Sequence, residues 1–325
     1  MAHALVVTRH GGREVLEVQP QERPTPGEGE VLVEVAASGV NFIDVYQREG
    51  VYPLATPFTL GMEGAGRVVE TGPGVEDVAV GDIVAWAMTI GSAASYAVLP
   101  ARVVVPVPEG VDPVVAAAAM LQGMTAQFLT TDTYPVRPGT VALVHAAAGG
   151  VGQLLVQMLK AKGATVVATA GSQAKCETAR ARGADHVIDY SQVDDLAAAV
   201  GAFTPDGRGV DVAYDGVGAS TFDASLASLR PRGTLAIFGA ASGAVPPVDV
   251  QRLNAGGSLF LTRPSLAHHV ADRGELLARA GEVLGAVADG SLEVAIGGRY
   301  PLTDAGAAYE ALEGRATEGK LVLIP

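Results

Sequence analysis

Up to Pro108 the chain alternates apolar and polar positions in short runs broken by glycine and proline. The pattern predicts strands over 4–8, 31–37, 66–71, 82–86, 95–99 and 103–107, the clearest lying in Glu30-Val31-Leu32-Val33-Glu34-Val35. Turn chemistry separates them, as at Pro26-Gly27 and Gly72-Pro73-Gly74. Many short strands with such turns predict a compact β-rich domain, a distorted barrel. The period then changes. Asp112-Pro113 supplies a helix cap and a first-turn proline for an alanine-rich helix over 114–130, which marks the crossing into a second domain.

Beyond that helix, apolar strand patterns near 141–147, 164–169, 186–189, 210–214, 233–239 and 257–262 alternate with helical ones. Six strands with helical crossovers predict an α/β fold with a doubly wound parallel sheet. The segment 240–256, rich in proline and glycine, reads as a loop over the carboxyl edge of that sheet, where ligands bind in such folds. The tail predicts a helix over 273–288, a short strand over 293–296, a helix over 304–313 and a last strand over 320–324. It is expected to return to the first domain. The expected division is 1–124, 125–264 and 265–325.

The most informative stretch is Val141-Ala142-Leu143-Val144-His145-Ala146-Ala147-Ala148-Gly149-Gly150-Val151-Gly152, a strand that breaks into a small-residue turn and a helix start. Ala147, Gly149 and Gly152 have the spacing G-x-G-x-x-G with alanine in the first slot. The helix that follows is apolar on one face through Val151, Leu154, Leu155, Met158 and Leu159, and the next strand is nearly all apolar. Such a strand-turn-helix-strand unit suits a dinucleotide, because small residues let backbone N–H groups approach the pyrophosphate. The second strand ends in Ala170-Gly171-Ser172, with Lys175 just beyond. No carboxylate stands there to accept from ribose hydroxyls, so NADP(H) is favoured over NAD(H). Ser172 is also placed to cap the helix over 173–182, which ends at Gly183.

With 325 residues, the chain suits two domains. Its net charge of −13 has the wrong sign for a nucleic-acid surface. A single cysteine, Cys176, leaves no internal disulfide and no zinc site built on several thiolates. No apolar run of about 18 residues free of charge and no signal-peptide plan is read, so a soluble cytoplasmic protein without membrane insertion is expected. His145 reads as a packed, hydrogen-bonded histidine and His268-His269 as a solvated pair. The short apolar edge strand over 257–262 invites pairing with a second copy, a homodimer.

The order of domains and the alanine-led turn resemble the medium-chain dehydrogenase/reductase superfamily. Its zinc enzymes carry a Gly-His-Glu motif after an early Cys-x-x-Asp. Here Met62, in Gly61-Met62-Glu63, stands where a zinc-ligand histidine would be, and Asn41 stands close to the cysteine's place. A catalytic zinc needs three protein ligands, so a zinc-free member is expected. Within the superfamily the chain resembles the NADPH:quinone oxidoreductase family that includes zeta-crystallin. The resemblance rests on blocks in one order: His10-Gly11-Gly12, Asn41-Phe42-Ile43-Asp44 with Tyr46, Arg48, Gly50, Tyr52 and Pro53, the glycine turn, Val187-Ile188-Asp189-Tyr190, Ser242-Gly243-Ala244-Val245, Thr262-Arg263-Pro264-Ser265-Leu266 and Arg315-Ala316-Thr317. Ala240-Ala241 departs from the family's usual asparagine and serine.

The resemblance implies a GroES-like substrate domain and a Rossmann domain holding NADPH in the cleft between them. It implies pyrophosphate contacts from Ala147, Gly149, Gly150, Val151 and Gly152, and 2′-phosphate contacts from Ser172, Lys175, Tyr190 and Arg315, with Gly171, Thr125 and Phe238 also on the cofactor. Hydride transfer asks the protein to place the nicotinamide against an electron-poor acceptor, and donors at the acceptor's carbonyl stabilise the developing charge. Asn41, Tyr46 and Tyr52 are the candidates. The expected activity is quinone reduction, or reduction of another electrophilic carbonyl substrate. Alternatives are an enone or alkenal C=C reductase and a non-catalytic, crystallin-like NADPH-binding protein.

Overall fold

The computed structural model describes residues 2–315 and 317–325, and the chain divides into two compact units, 1–124 with 269–325, and 125–268. Ala316, part of the Arg315-Ala316-Thr317 block, lies outside the described residues.

In the first unit the strands are β1 (His3–Val7), β2 (Leu16–Pro20), β3 (Glu30–Gly39), β4 (Phe58–Thr59), β5 (Glu63–Thr71), β6 (Ile83–Ala87), β7 (Tyr96–Pro100) and β8 (Val105–Pro106). Helix α1 (Phe42–Arg48) follows β3, and α2 (Pro113–Phe128) follows β8. The second unit carries β9 (Val141–Val144), α3 (Gly150–Ala161), β10 (Thr165–Ala170), α4 (Gln173–Ala181), β11 (His186–Asp189), α5 (Leu196–Gly201), β12 (Val210–Asp215), α6 (Phe222–Ala227), β13 (Leu229–Ile237), α7 (Gln251–Ala255) and β14 (Phe260–Thr262). Helix α8 (Leu266–His269) crosses the division, and α9 (Arg273–Ala288), β15 (Ile296–Pro301), α10 (Ala305–Glu313) and β16 (Lys320–Ile324) complete the first unit.

The β-rich unit holds a three-stranded sheet, β2-β1-β4, and a larger one in the order β15-β16-β3-β5-β6-β8, with β7 also paired to β3. Strand β16 runs antiparallel to β3 through Val322 opposite Gly39 and Leu323 opposite Ser38. The last residues of the chain thus sit in register with the segment that leads into α1. Two apolar clusters fill this unit, one around Leu5, Val40, Leu60, Tyr309 and Leu323, the other around Val33, Val68, Trp86 and Leu99. Short strands β2 and β4 lie outside the strands expected from sequence: Leu16–Pro20 alternates over only five residues and ends in proline, and Phe58–Thr59 has two residues.

The second unit is a single parallel sheet in the order β11-β10-β9-β12-β13-β14, with its core around Leu143, Val167, Ala213 and Leu235. Order reverses between β9 and β12, the switch point at which such sheets bind ligands beyond the strands' carboxyl ends. Segment 240–256, read as a loop, contains the short helix α7. The apolar segment Pro113–Thr133 is helical and has the length and hydropathy of a membrane span, contrary to the reading that no such run exists. It is 72% buried inside the structure, as the core helix of a folded domain is.

Candidate active site

Two turns at the carboxyl ends of β9 and β10 form the candidate site of the second unit. The chain leaves β9 at His145, takes a left-handed step at Ala146 (φ 49°), and enters α3 through its N-cap, Gly149. That glycine offers no side chain with which to cap the helix. A Cβ at Gly152 would overlap the Ala146 carbonyl, which is why only glycine lets helix and turn pack so closely. The result is a twelve-residue helix whose first N–H groups receive no hydrogen bond from a side chain at the N-cap. Ala147 is tied to the next strand by its N–H, which donates to the Thr169 carbonyl at 3.1 Å.

After β10, Ser172 caps α4 by accepting from the Lys175 N–H at 3.4 Å. Gly171 lies beneath the Tyr190 phenol, since a Cβ there would overlap its hydroxyl. Tyr190 itself follows β11 and is 49% exposed. The structure therefore brings Gly171, Ser172, Lys175 and Tyr190 together at neighbouring strand ends. Asp189, the carboxylate nearest in sequence, is occupied by the Ser191 N–H and hydroxyl at 3.0 and 2.7 Å. Phe238, just past β13, lays its ring against Gly216, and Thr125 sits buried on α2. Arg315 belongs to the other unit, in the turn after α10 with φ 53°.

The β-rich unit holds a candidate site of its own. Asn41 caps α1 in a capping box in which its N–H donates to Asp44 Oδ2 at 2.8 Å. Its amide is fully committed. Nδ2 donates to Glu63 Oε1 at 2.8 Å and to the Gly39 carbonyl at 3.3 Å, while Oδ1 accepts from Lys320 Nζ at 2.7 Å. Lys320 also donates to Glu63, and all three side chains are buried. Glu63 Oε2 in turn accepts from the Leu121 N–H at 2.7 Å. In this arrangement Asn41 has no N–H left for an acceptor's carbonyl.

Asp44 Oδ2 also accepts from the Tyr309 hydroxyl at 3.0 Å. Burial pushes the Asp44 carboxyl up to about 7, against the lowering effects of the Asn41 N–H, Lys320 and Tyr309. The same burial, with Asp44 beside it, raises the Tyr309 phenol. On the outer part of α1, Tyr46 meets Tyr52 edge-on, ring centres 5.4 Å apart, and the Tyr52 N–H donates to the Tyr46 carbonyl at 3.0 Å. Tyr52 is 43% exposed. Of the three residues proposed for an acceptor, only Tyr46 and Tyr52 lie side by side with an exposed phenol between them. Among the described residues, no group of three or more His, Cys, Asp or Glu side chains could hold a metal ion. Lys320 and Tyr309 carry no signal in the sequence, and Glu63 and Asp44 enter it only as members of the family blocks. No local spacing joins them; the pairing of β16 and of β5 with β3, and the Tyr309–Asp44 hydrogen bond, bring them to one place.

Fold and turns define a two-domain dehydrogenase. Residues 27–109 match the alcohol dehydrogenase GroES-like domain and residues 150–270 match the zinc-binding dehydrogenase domain. The chain is 41% identical to a quinone oxidoreductase of Pseudomonas aeruginosa over the whole of both proteins. It is 40% identical to a 2-haloacrylate reductase of Burkholderia, covering 100% of this chain and 99% of that one. It superposes on a mycobacterial protein, Rv1454c, solved as a complex with NADPH, with TM-score 0.96 and 48% identity over the full length of both. The chain belongs to the quinone oxidoreductase family of the medium-chain dehydrogenase/reductases.

Proposed function

We propose that this protein oxidises NADPH and delivers the hydride to a quinone, with no metal in the reaction. The reading is carried by the two turns at the ends of β9 and β10: an uncapped helix N-terminus built for a pyrophosphate, beside a turn that offers Ser172, Lys175 and Tyr190 and no unengaged carboxylate. The NADPH complex of the 48% identical mycobacterial protein supports it. When bound, NADPH supplies the hydride from its nicotinamide. The protein's part is to bind, orient and polarise. Ala147 and Gly149 to Gly152 receive the pyrophosphate; Ser172, Lys175, Tyr190 and Arg315 hold the 2′-phosphate; Gly171, Thr125 and Phe238 complete the cofactor contacts. The Tyr52 hydroxyl donates to the acceptor's carbonyl, Tyr46 orients it, and Asn41 serves through the placement of α1. A hydride and one proton from water convert quinone to hydroquinone.

A second reading has one observation in its favour, the full-length similarity to 2-haloacrylate reductase. An electron-poor C=C bond accepts a hydride from the same donor, and an enone reductase would use the same cofactor residues. We also propose a homodimer formed through β14, which is paired on one side only and exposes 60% of Phe260. The deciding experiment follows NADPH and NADH oxidation with 1,4-benzoquinone, a naphthoquinone, an enone and 2-chloroacrylate, with and without a chelator. Chelator-resistant turnover with NADPH and a quinone is expected. Turnover with 2-chloroacrylate or the enone alone would favour the second reading, and none with any acceptor would leave a non-catalytic NADPH-binding protein.

A further inference from the structure

A string of buried side chains runs beneath the switch point of the parallel sheet. It starts at Thr169 on β10, whose hydroxyl lies 2.9 Å from His145 Nδ1. It continues from His145 Nε2 to Ser225 Oγ on α6, also 2.9 Å. Ser225 then donates to Asp215 Oδ2, at the end of β12, at 2.6 Å. All four side chains are buried. Asp215 collects donors from the loop it faces: the Val217 N–H at 2.8 Å, the Gly218 N–H at 3.0 Å, and the Thr221 hydroxyl at 2.7 Å to Oδ2.

Only one arrangement of protons serves every member when Asp215 acts as acceptor. Ser225 gives its proton to the carboxylate, so its oxygen faces His145 with a lone pair. His145 must then carry its proton on Nε2, which leaves Nδ1 to accept from Thr169. Burial lowers the imidazole's pKa, with Asp215 opposing, and keeps the ring in that neutral form. The string therefore has one direction and one tautomer. It joins the carboxyl ends of β10, β9 and β12, the three strands whose turns border the crevice. His145 immediately precedes the pyrophosphate turn, Thr169 stands two positions before Gly171 of the Gly171-Ser172 turn, and Asp215 anchors the loop at Val217 and Gly218.

We infer that Thr169, His145 and Ser225 are positioning residues for the dinucleotide: they hold the pyrophosphate turn and the 2′-phosphate turn at the spacing the cofactor needs. The assignment rests on the proposed NADPH site. None of the three touches the reacting atoms. A buried strut of this kind sets cofactor affinity, because turns free to drift must be ordered again on binding.

The test compares Thr169→Val, Thr169→Ser and Ser225→Ala with wild type. Binding is read by NADPH fluorescence titration, kcat at saturating NADPH with a quinone, and unfolding by thermal melt without nucleotide. Thr169→Val matches the shape of threonine and loses only the donor to Nδ1, and Ser225→Ala leaves the His145 proton without an acceptor. Both are expected to raise the Kd for NADPH about tenfold, the order of effect that one unsatisfied buried group produces. Saturated kcat should stay within about twofold of wild type and Thr169→Ser should bind as wild type does. If both damaging variants bind NADPH as tightly as wild type while melting earlier, the string is core packing and the inference is wrong. If the wild type itself binds no NADPH, the proposed site fails first, and that result is told apart by the unmutated protein alone.

Discussion

Lys320 and Asn41 are 279 residues apart in the chain, yet the ammonium of one lies 2.7 Å from the side-chain oxygen of the other. The same ammonium donates to Glu63, so the last strand, the cap of α1 and the start of β5 meet on one buried positive charge. Removing that charge leaves the Glu63 carboxylate buried with only the Asn41 amide and the Leu121 N–H. Lys320→Met is expected to cost about 3–5 kcal/mol, the range for stranding one partner of a buried pair. Pairing it with Glu63→Gln should recover a large part of the loss. Urea unfolding of the two variants measures both quantities, and a double variant no more stable than Lys320→Met would show that the pair is not coupled.

Asp44 makes stability depend on pH in a direction opposite to that of a salt-bridged carboxylate. Burial raises its carboxyl to about 7, from the ordinary 3.8. Between those values the folded protein keeps a proton that the unfolded chain has released. Stability is therefore full below the lower value, falls as pH rises through the window, and levels off above the higher one. Asp44 Oδ1 and Gln47 Oε1 are buried acceptors without a partner, three residues apart on α1, which adds to the penalty on the ionised form. Asp44→Asn keeps an oxygen for the Asn41 N–H and Tyr309 and cannot ionise. Relative to that variant, wild type should lose about 3 kcal/mol between roughly pH 5 and pH 8. Parallel pH profiles from denaturant titrations would remove Asp44 from the account.

What could be read from the amino-acid order was what local chemistry dictates. Strand β11 and helix α9 fall on the residues that periodicity assigned, and the parallel sheet follows from alternating apolar runs. The glycine turn was legible because close packing of helix on turn demands small residues at fixed spacing, as where a Cβ at Gly152 would overlap the Ala146 carbonyl. Asn41 shows the limit. Its side chain is committed to Glu63, Gly39 and Lys320, contacts between strands far apart in sequence, so a residue chosen as a substrate donor proved to be bound up inside the fold. Ser225 and Asp215 were invisible for the same reason: nothing in their own segments signals that His145 lies beside them.

Coenzyme choice should respond to Lys175. The turn that Ser172 caps contains no carboxylate, and Tyr190 closes over Gly171. Lys175→Glu sets a negative charge where the 2′-phosphate is proposed to bind. The ratio of kcat/KM for NADPH to that for NADH should fall about 10- to 100-fold, as expected for the loss of a charge-assisted contact. Kinetics with both coenzymes at one fixed quinone concentration measures it. An unchanged ratio would place the phosphate elsewhere.

Strand β14 ends its sheet with three residues and exposes Phe260 on an edge that, among the described residues, no other strand covers. An apolar edge of this kind pairs readily with its like. Phe260→Glu should convert the proposed dimer to monomer without lowering the melting temperature of the isolated chain. Light scattering across a concentration series reads the mass, and a wild type that is monomeric throughout would end the proposal.

Tyr52 and Asn41 make separable predictions because one is exposed and the other is buried in a hydrogen-bond network. Tyr52→Phe removes a hydroxyl and nothing that the fold uses, since its ring still meets Tyr46 edge-on. It should lower kcat/KM for the quinone about tenfold, the lower end of what one donor to a developing oxyanion provides, with NADPH affinity and melting temperature intact. Asn41→Ala takes away the partner of Lys320 and of Glu63 and keeps the backbone N–H that donates to Asp44. It should lower quinone turnover too, but together with stability, by about 2 kcal/mol. The two variants are told apart by unfolding midpoints measured beside the kinetics. Loss of turnover in Asn41→Ala at unchanged stability would restore its amide as a direct contact to substrate, and wild-type turnover in Tyr52→Phe would strike the phenol from the site.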